Sequence, residues 1–212
     1  MNFKNLSIIL LLGCCAISAY GQEFEIVELV EKPMDQSAQI HQRKDANGRD
    51  DLDLKHRRFI LDYIELLRTA YNQKNIKFIE QVFNDKTIFI QGKLKTIQNE
   101  EGVIDNKIEY VKQTSKLYLN NLKKIFARNK NIVINFEEIE INQHHEKSKI
   151  YGVLMMQKWS SDNYHDEGYL FQLWDFTDEN VPQIHICSWQ PAVINGKPLP
   201  KDEVLGLKDF DI

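Results

Sequence analysis

His185, Cys187 and Trp189 recur at every second position of one β-branched and aromatic run, Gln183 to Gln190. Imidazole titrates near neutrality, so His185 has the chemistry of a general base; the competing reading is a histidine packed into a strand. Tyr63 lies on the apolar stripe of an early helical pattern, with a hydroxyl able to donate, although an amphipathic core tyrosine occupies such places too. Gln172 sits between Phe171 and Leu173 in a run otherwise built for burial, and a buried amide needs partners. Together with Trp174, Trp159 and Trp189 it would give a ligand flat apolar walls and one orienting amide, unless those tryptophans fill the core or an interface.

Other chemistry is poorly supported. His144-His145-Glu146 and the group Asp162, His165, Asp166 and Glu167 lack zinc or calcium spacing and read as polar turns, so no metal and no cofactor is expected. Asp175, beside Asp178 and Glu179, reads as a solvated turn acid, and Thr87 to Gln91 offers no acid. Cys187 has no cationic sequence neighbour beyond His185 to activate it. No phosphate loop, dinucleotide fingerprint or serine elbow is present.

Lys4 precedes an apolar run, Leu6 to Ala19, that ends in Ala19-Tyr20-Gly21, the pattern of a secretory signal peptide over residues 1–21. The run is shorter than the ~20 residues of a spanning helix. An exported protein, periplasmic or extracellular, is expected; Leu11-Leu12-Gly13-Cys14 offers the alternative of a lipoprotein anchored at Cys14. Cleavage removes one basic residue and no acidic one, taking the net charge from −4 to −5, which disfavours nucleic-acid binding. It also leaves Cys187 alone, so packing and not an internal disulfide must hold the fold.

Residues 22–52 read as an N-terminal arm, disordered or paired to a sheet edge, and 53–194 as the main domain. Asp53 is the expected N-cap of a first helix whose apolar pairs run from Phe59/Ile60 to Ala70/Tyr71. A second helix follows Asn75. Thr87 to Gln91 reads as a strand, Gly92-Lys93 as a turn and Leu94 to Ile97 as a weaker strand, followed by a third helix from near Asp105 to Phe126. From Asn131 the pattern is β, with a parity change that predicts a bulge near Glu137. Lys149 to Trp159, Tyr164 to Phe176 and Gln183 to Gln190 complete the sheet. Both faces of these runs are apolar, so a partner subunit or the arm is expected to cover the second. The tail, 195–212, either docks or hangs free.

This order of elements, with Tyr71-Asn72-Gln73-Lys74-Asn75 leading into Phe78-Ile79-Glu80-Gln81-Val82-Phe83, resembles the nuclear transport factor 2-like (SnoaL-like) superfamily over roughly Leu54 to Pro191. Lys32-Pro33-Met34-Asp35 and Lys44-Asp45-Ala46-Asn47-Gly48 resemble the opening of an envelope domain common in Bacteroidetes proteins, without its usual apolar strand. The first resemblance implies an α+β fold, a cone-shaped curved antiparallel sheet wrapped around N-terminal helices, with a pocket between them. It also implies that any proton-abstracting member would pair a pocket base with an oxyanion donor, for which His185 and Tyr63 are the candidates. The first expectation is an exported non-catalytic binding module, homodimeric through its sheet, whose partner is a small apolar ligand or an envelope protein. A small-molecule isomerase or dehydratase is the alternative, and a purely structural adaptor the third.

Overall fold

The computed structural model describes residues 51–98 and 104–210; the signal-peptide and lipoprotein readings and nearly all of the arm lie outside them. Helix α1, Asp51–Asn72, buries His56, Ile60, Ile64, Leu67 and Tyr71, three and four residues apart on one stripe. Asp53 is not its N-cap. It lies inside the first turn, where an acid suits the helix dipole, and binds Arg57 at 2.9 Å. The helix ends where Lys74 adopts left-handed backbone (φ 55°) and the Asn75 N–H returns to the Ala70 carbonyl. The Asn75 side chain then accepts from the Phe78 N–H and starts α2, Ile76–Val82.

The next segment departs from expectation twice. Strand β1 runs unbroken from Ile88 to Gln98, with Gly92 inside it. A Cβ at Gly92 would lie 2.9 Å from Ile108 and 3.1 Å from Gln190 Cβ, so this glycine serves close strand packing and not a turn. The expected third helix is half strand. Ile104–Thr114 forms β2, paired with β1 along eleven positions, and α3 covers only Ser115–Arg128, capped by the Thr114 hydroxyl. Ile108 and Val111 fit a helical period, but an eleven-position ladder to β1 along one edge of Ile104–Thr114 overrides it.

Four further strands follow as a meander: β3 (Ile132–Gln143), β4 (Ile150–Ser161), β5 (His165–Asp175) and β6 (Gln183–Pro191). The sheet order is β2-β1-β6-β5-β4-β3, antiparallel except for the parallel pair β1–β6. The bulge near Glu137 is present as a register shift between Glu137 and Glu140, with Glu138 at φ 51°. At the β3 edge the Asn72 amide takes the place of a missing strand, accepting from the Ile134 N–H at 2.6 Å and donating to its carbonyl. The α+β class and the curved sheet against helices are as expected.

The tail docks on the far face of the sheet. Asn195 and Gly196, both at positive φ, turn the short hairpin β7–β8, Val193–Ile194 and Lys197–Pro198. The buried Gln190 amide donates to the Glu203 carbonyl and accepts from the Leu205 N–H. Leu207 and Phe210 then pack on Ile150, Phe171 and Leu173, with Phe210 stacked on Phe171 at 5.3 Å. The chain's own C-terminus therefore covers part of the second apolar face, where a partner subunit or the arm was expected.

Candidate functional site

The inner sheet face is divided between a filled half and an open half. In the filled half, Trp174 and Phe176 pack with Phe59, Tyr63 and His56 of α1, His56 stacking on Phe176 at 4.1 Å. The Tyr151 hydroxyl joins this cluster, donating to Asp53 and lying 3.2 Å from His56 Nδ1. Burial pushes His56 below, and Tyr63 above, its usual value. In the open half, the end of α1, one side of α3 and the sheet enclose a cavity of about 470 Å3.

Cross-strand register explains what lines it. Trp159 pairs with Asp166, Leu170 with Trp189, Gln91 with Trp189 and Phe89 with Cys187, so these side chains form adjacent rows on one face. Tyr71 from α1 and Tyr118 from α3 roof the rows, Tyr71 edge-on to Trp159 and Tyr118 stacked on Phe89 at 3.8 Å. Their hydroxyls are 2.5 Å apart. Such a pair uses one hydroxyl hydrogen internally and keeps the second for a third acceptor. Gly168 makes room for the Trp189 indole, since a Cβ there would lie 2.5 Å from the ring.

Asp166 is the charged group of this cavity. Burial pushes its carboxyl above the usual carboxylate range, partly offset by the nearby Tyr164 hydroxyl. Its Oδ1 and the Trp189 Nε1 are both buried without a hydrogen-bond partner, two of three such atoms among the described residues. Unpaired buried polar atoms are costly, and both of these belong to residues that line the cavity. Burial also pushes the Cys187 thiol up to about 12, the neighbouring Gln172 amide offsetting part of the rise, so it is a neutral wall group and no nucleophile. Tyr71 and Tyr118 are held well above their usual values, burial being the main cause, and stay protonated.

The residues singled out from sequence are split by this geometry. Trp159 and Trp189 line the cavity. Gln172 and Trp174 share its sheet face but lie in the filled half, bonded to each other at 3.1 Å and nearly fully buried. Tyr63 is likewise packed among aromatic rings and does not line the cavity. His185 does not line it either: its Nε2 lies 2.9 Å from Asp175 Oδ2. A bulge causes this, because Leu173 pairs with Ile186 but Trp174 with Ile184, leaving His185 as the extra residue and breaking its alternation with Cys187 and Trp189. The bulge also corrects Asp175 from a solvated turn acid to a partner of His185 and Thr177. Burial would raise that carboxyl, but these bonds outweigh it and hold it below the usual value. Sequence reasoning missed Asp166 and the Tyr71–Tyr118 pair. Asp166 could have been found by counting β5 inward from Leu170 in steps of two; the tyrosine pair, 47 residues apart, leaves no local signal.

No protein-family model and no curated protein sequence matches the chain. Similar solved structures include the Bdellovibrio bacteriovorus protein Bd1075, at 16% identity and TM-score 0.48, covering 65% of this chain and 41% of that one. The chain thus spans about two-fifths of that protein's length. A nuclear transport factor 2-like protein from Cytophaga hutchinsonii shares 15% identity at TM-score 0.47, covering 64% of this chain and 97% of its own. A nuclear transport factor 2-like superfamily protein from Salmonella enterica shares 12% identity at TM-score 0.47, covering 68% and 92%. These likenesses concern general layout; the function is argued from the cavity.

Proposed function

We propose that the protein is a small-molecule binding module of the nuclear transport factor 2-like kind, with its ligand held in the cavity between the end of α1, one side of α3 and the inner sheet face. The observation that carries this is the coincidence of an open, aromatic-lined cavity with two unpaired buried polar atoms, Asp166 Oδ1 and Trp189 Nε1. The Leu6–Ala19 run supports export to the cell envelope as the place of action. Ile88, Leu94 and Tyr110, exposed on one face of the β1–β2 hairpin, support a homodimer or envelope partner docking there. Native mass spectrometry of protein purified from its own cell envelope tests the reading. Retained small-molecule mass, lost in an Ile125→Trp variant that plugs the cavity wall, is the expected result. Identical ligand-free spectra for both proteins would count against it.

A second reading, acid/base catalysis, is favoured by one arrangement: a carboxyl raised by burial in the same cavity as a tyrosine pair with a hydroxyl hydrogen to spare. Asp166 would then be the base and the Tyr71–Tyr118 pair the oxyanion donor, replacing His185 and Tyr63 in those roles. Proton exchange at the carbon next to a ketone, followed in D2O, should fall about 100-fold or more in Asp166→Asn. Exchange no faster than buffer in the wild type would leave binding alone.

A further inference from the structure

We propose that the cavity selects a small organic cation, a protonated amine carried on a flat apolar body, with Asp166 as its counter-ion and the surrounding rings as its walls. The proposal rests on the cavity being a ligand site and adds the charge class of what enters. Among the described residues lining it, Asp166 is the one formally charged side chain, and no lysine, arginine or histidine is present. Six aromatic residues, Tyr71, Phe89, Tyr118, Trp159, Tyr164 and Trp189, contribute to the lining. An aromatic face attracts a cation, most strongly for tryptophan and most of all where water is excluded.

The three ligand charges fare differently here. An anion meets no positive group and one carboxyl whose ionised form repels it. A neutral ligand leaves the half-buried Asp166 without a counter-charge, the condition that now holds its carboxyl above the usual range. A cation supplies the missing charge to the one carboxyl of the lining and gains from the rings.

The test is calorimetric titration of the full chain with three probes on one aromatic body: 2-phenylethylammonium, 4-phenyl-2-butanone and 3-phenylpropionate. The amine should bind at least about tenfold more tightly than the ketone, and the carboxylate weakest of all. Asp166→Asn should weaken the amine by about tenfold or more while leaving the ketone within about twofold. Trp159→Leu, which keeps the carboxyl, should weaken the amine more than the ketone. A ketone that binds as tightly as the amine, with neither affected by Asp166→Asn, would overturn the cation assignment and leave the cavity a ligand site. Absence of binding by all three overturns the cation assignment too, and retained mass in native spectra then judges the ligand-site reading independently.

Discussion

Asp166 shows how one side chain can be costly to the fold and useful to the site. Its carboxyl is raised by burial, so the native chain binds the proton more tightly than the unfolded chain does. Stability therefore falls as pH rises from the ordinary carboxylate range through the raised native value, and the loss persists above it. The other titratable groups lining the cavity, Tyr71, Tyr118, Tyr164 and Cys187, are all raised and stay neutral through that window. Asp166→Asn should accordingly be more stable than wild type at neutral pH and match it in acid, read by urea denaturation at both. Equal stability at neutral pH would mean that burial imposes no cost. Gln172 is the opposite case, an amide that serves the core. Gln172→Leu removes the acceptor of Trp174 Nε1 and should cost about 1–3 kcal/mol in denaturant titrations. Because Gln172 lies outside the cavity lining, probe affinity should hardly change.

At the scale of elements, strand register and strand irregularity decide which residues meet. The β5–β4 and β5–β6 registers put Asp166 beside Trp159 and Leu170 beside Trp189, while the β6 bulge removes His185 from that face. Gly168 is the element-level device that seats the indole. Gly168→Ala would drive a Cβ into the Trp189 ring and the Gln190 carbonyl, costing about 1–3 kcal/mol. It should also tilt the ring and weaken ligand binding; unchanged thermal stability and affinity would show that the indole lies elsewhere. The β2–α3 boundary is set in the same way, by pairing with β1 up to Thr114 and by the Thr114 cap beyond it.

For the whole molecule, the C-terminal tail determines which surface is free. Val204 is buried, and Leu207 and Phe210 cover Ile150, Phe171 and Leu173 on the face away from the cavity. A Cβ at Gly152 would lie 2.9 Å from Leu207, so the strap sits directly on the sheet. Deleting Lys201–Ile212 should lower stability by at least about 2 kcal/mol, given the apolar burial removed. It should also produce concentration-dependent self-association through the uncovered face, measured by sedimentation. An unchanged melting temperature would mean that the strap contributes nothing to the fold. Among the described residues no helix is long and apolar enough to cross a membrane.

Much of this architecture was legible from local pattern. The stripe of α1, the helix after Asn75, the parity change near Glu137 and the aromatic β-runs are short-range signals, because helix period and strand alternation act over a few residues. The site was legible only in part: Trp159 and Trp189 stood out by type, and a pocket was implied by the resemblance. Which tryptophans line it, which acid lies among them and where the tail goes depend on pairings between residues far apart in the chain. A one-residue bulge sends His185 one way, and a 47-residue separation brings Tyr71 and Tyr118 together. Side-chain alternation has period two, so a single inserted residue reverses a face, and only the tertiary structure shows where that happens.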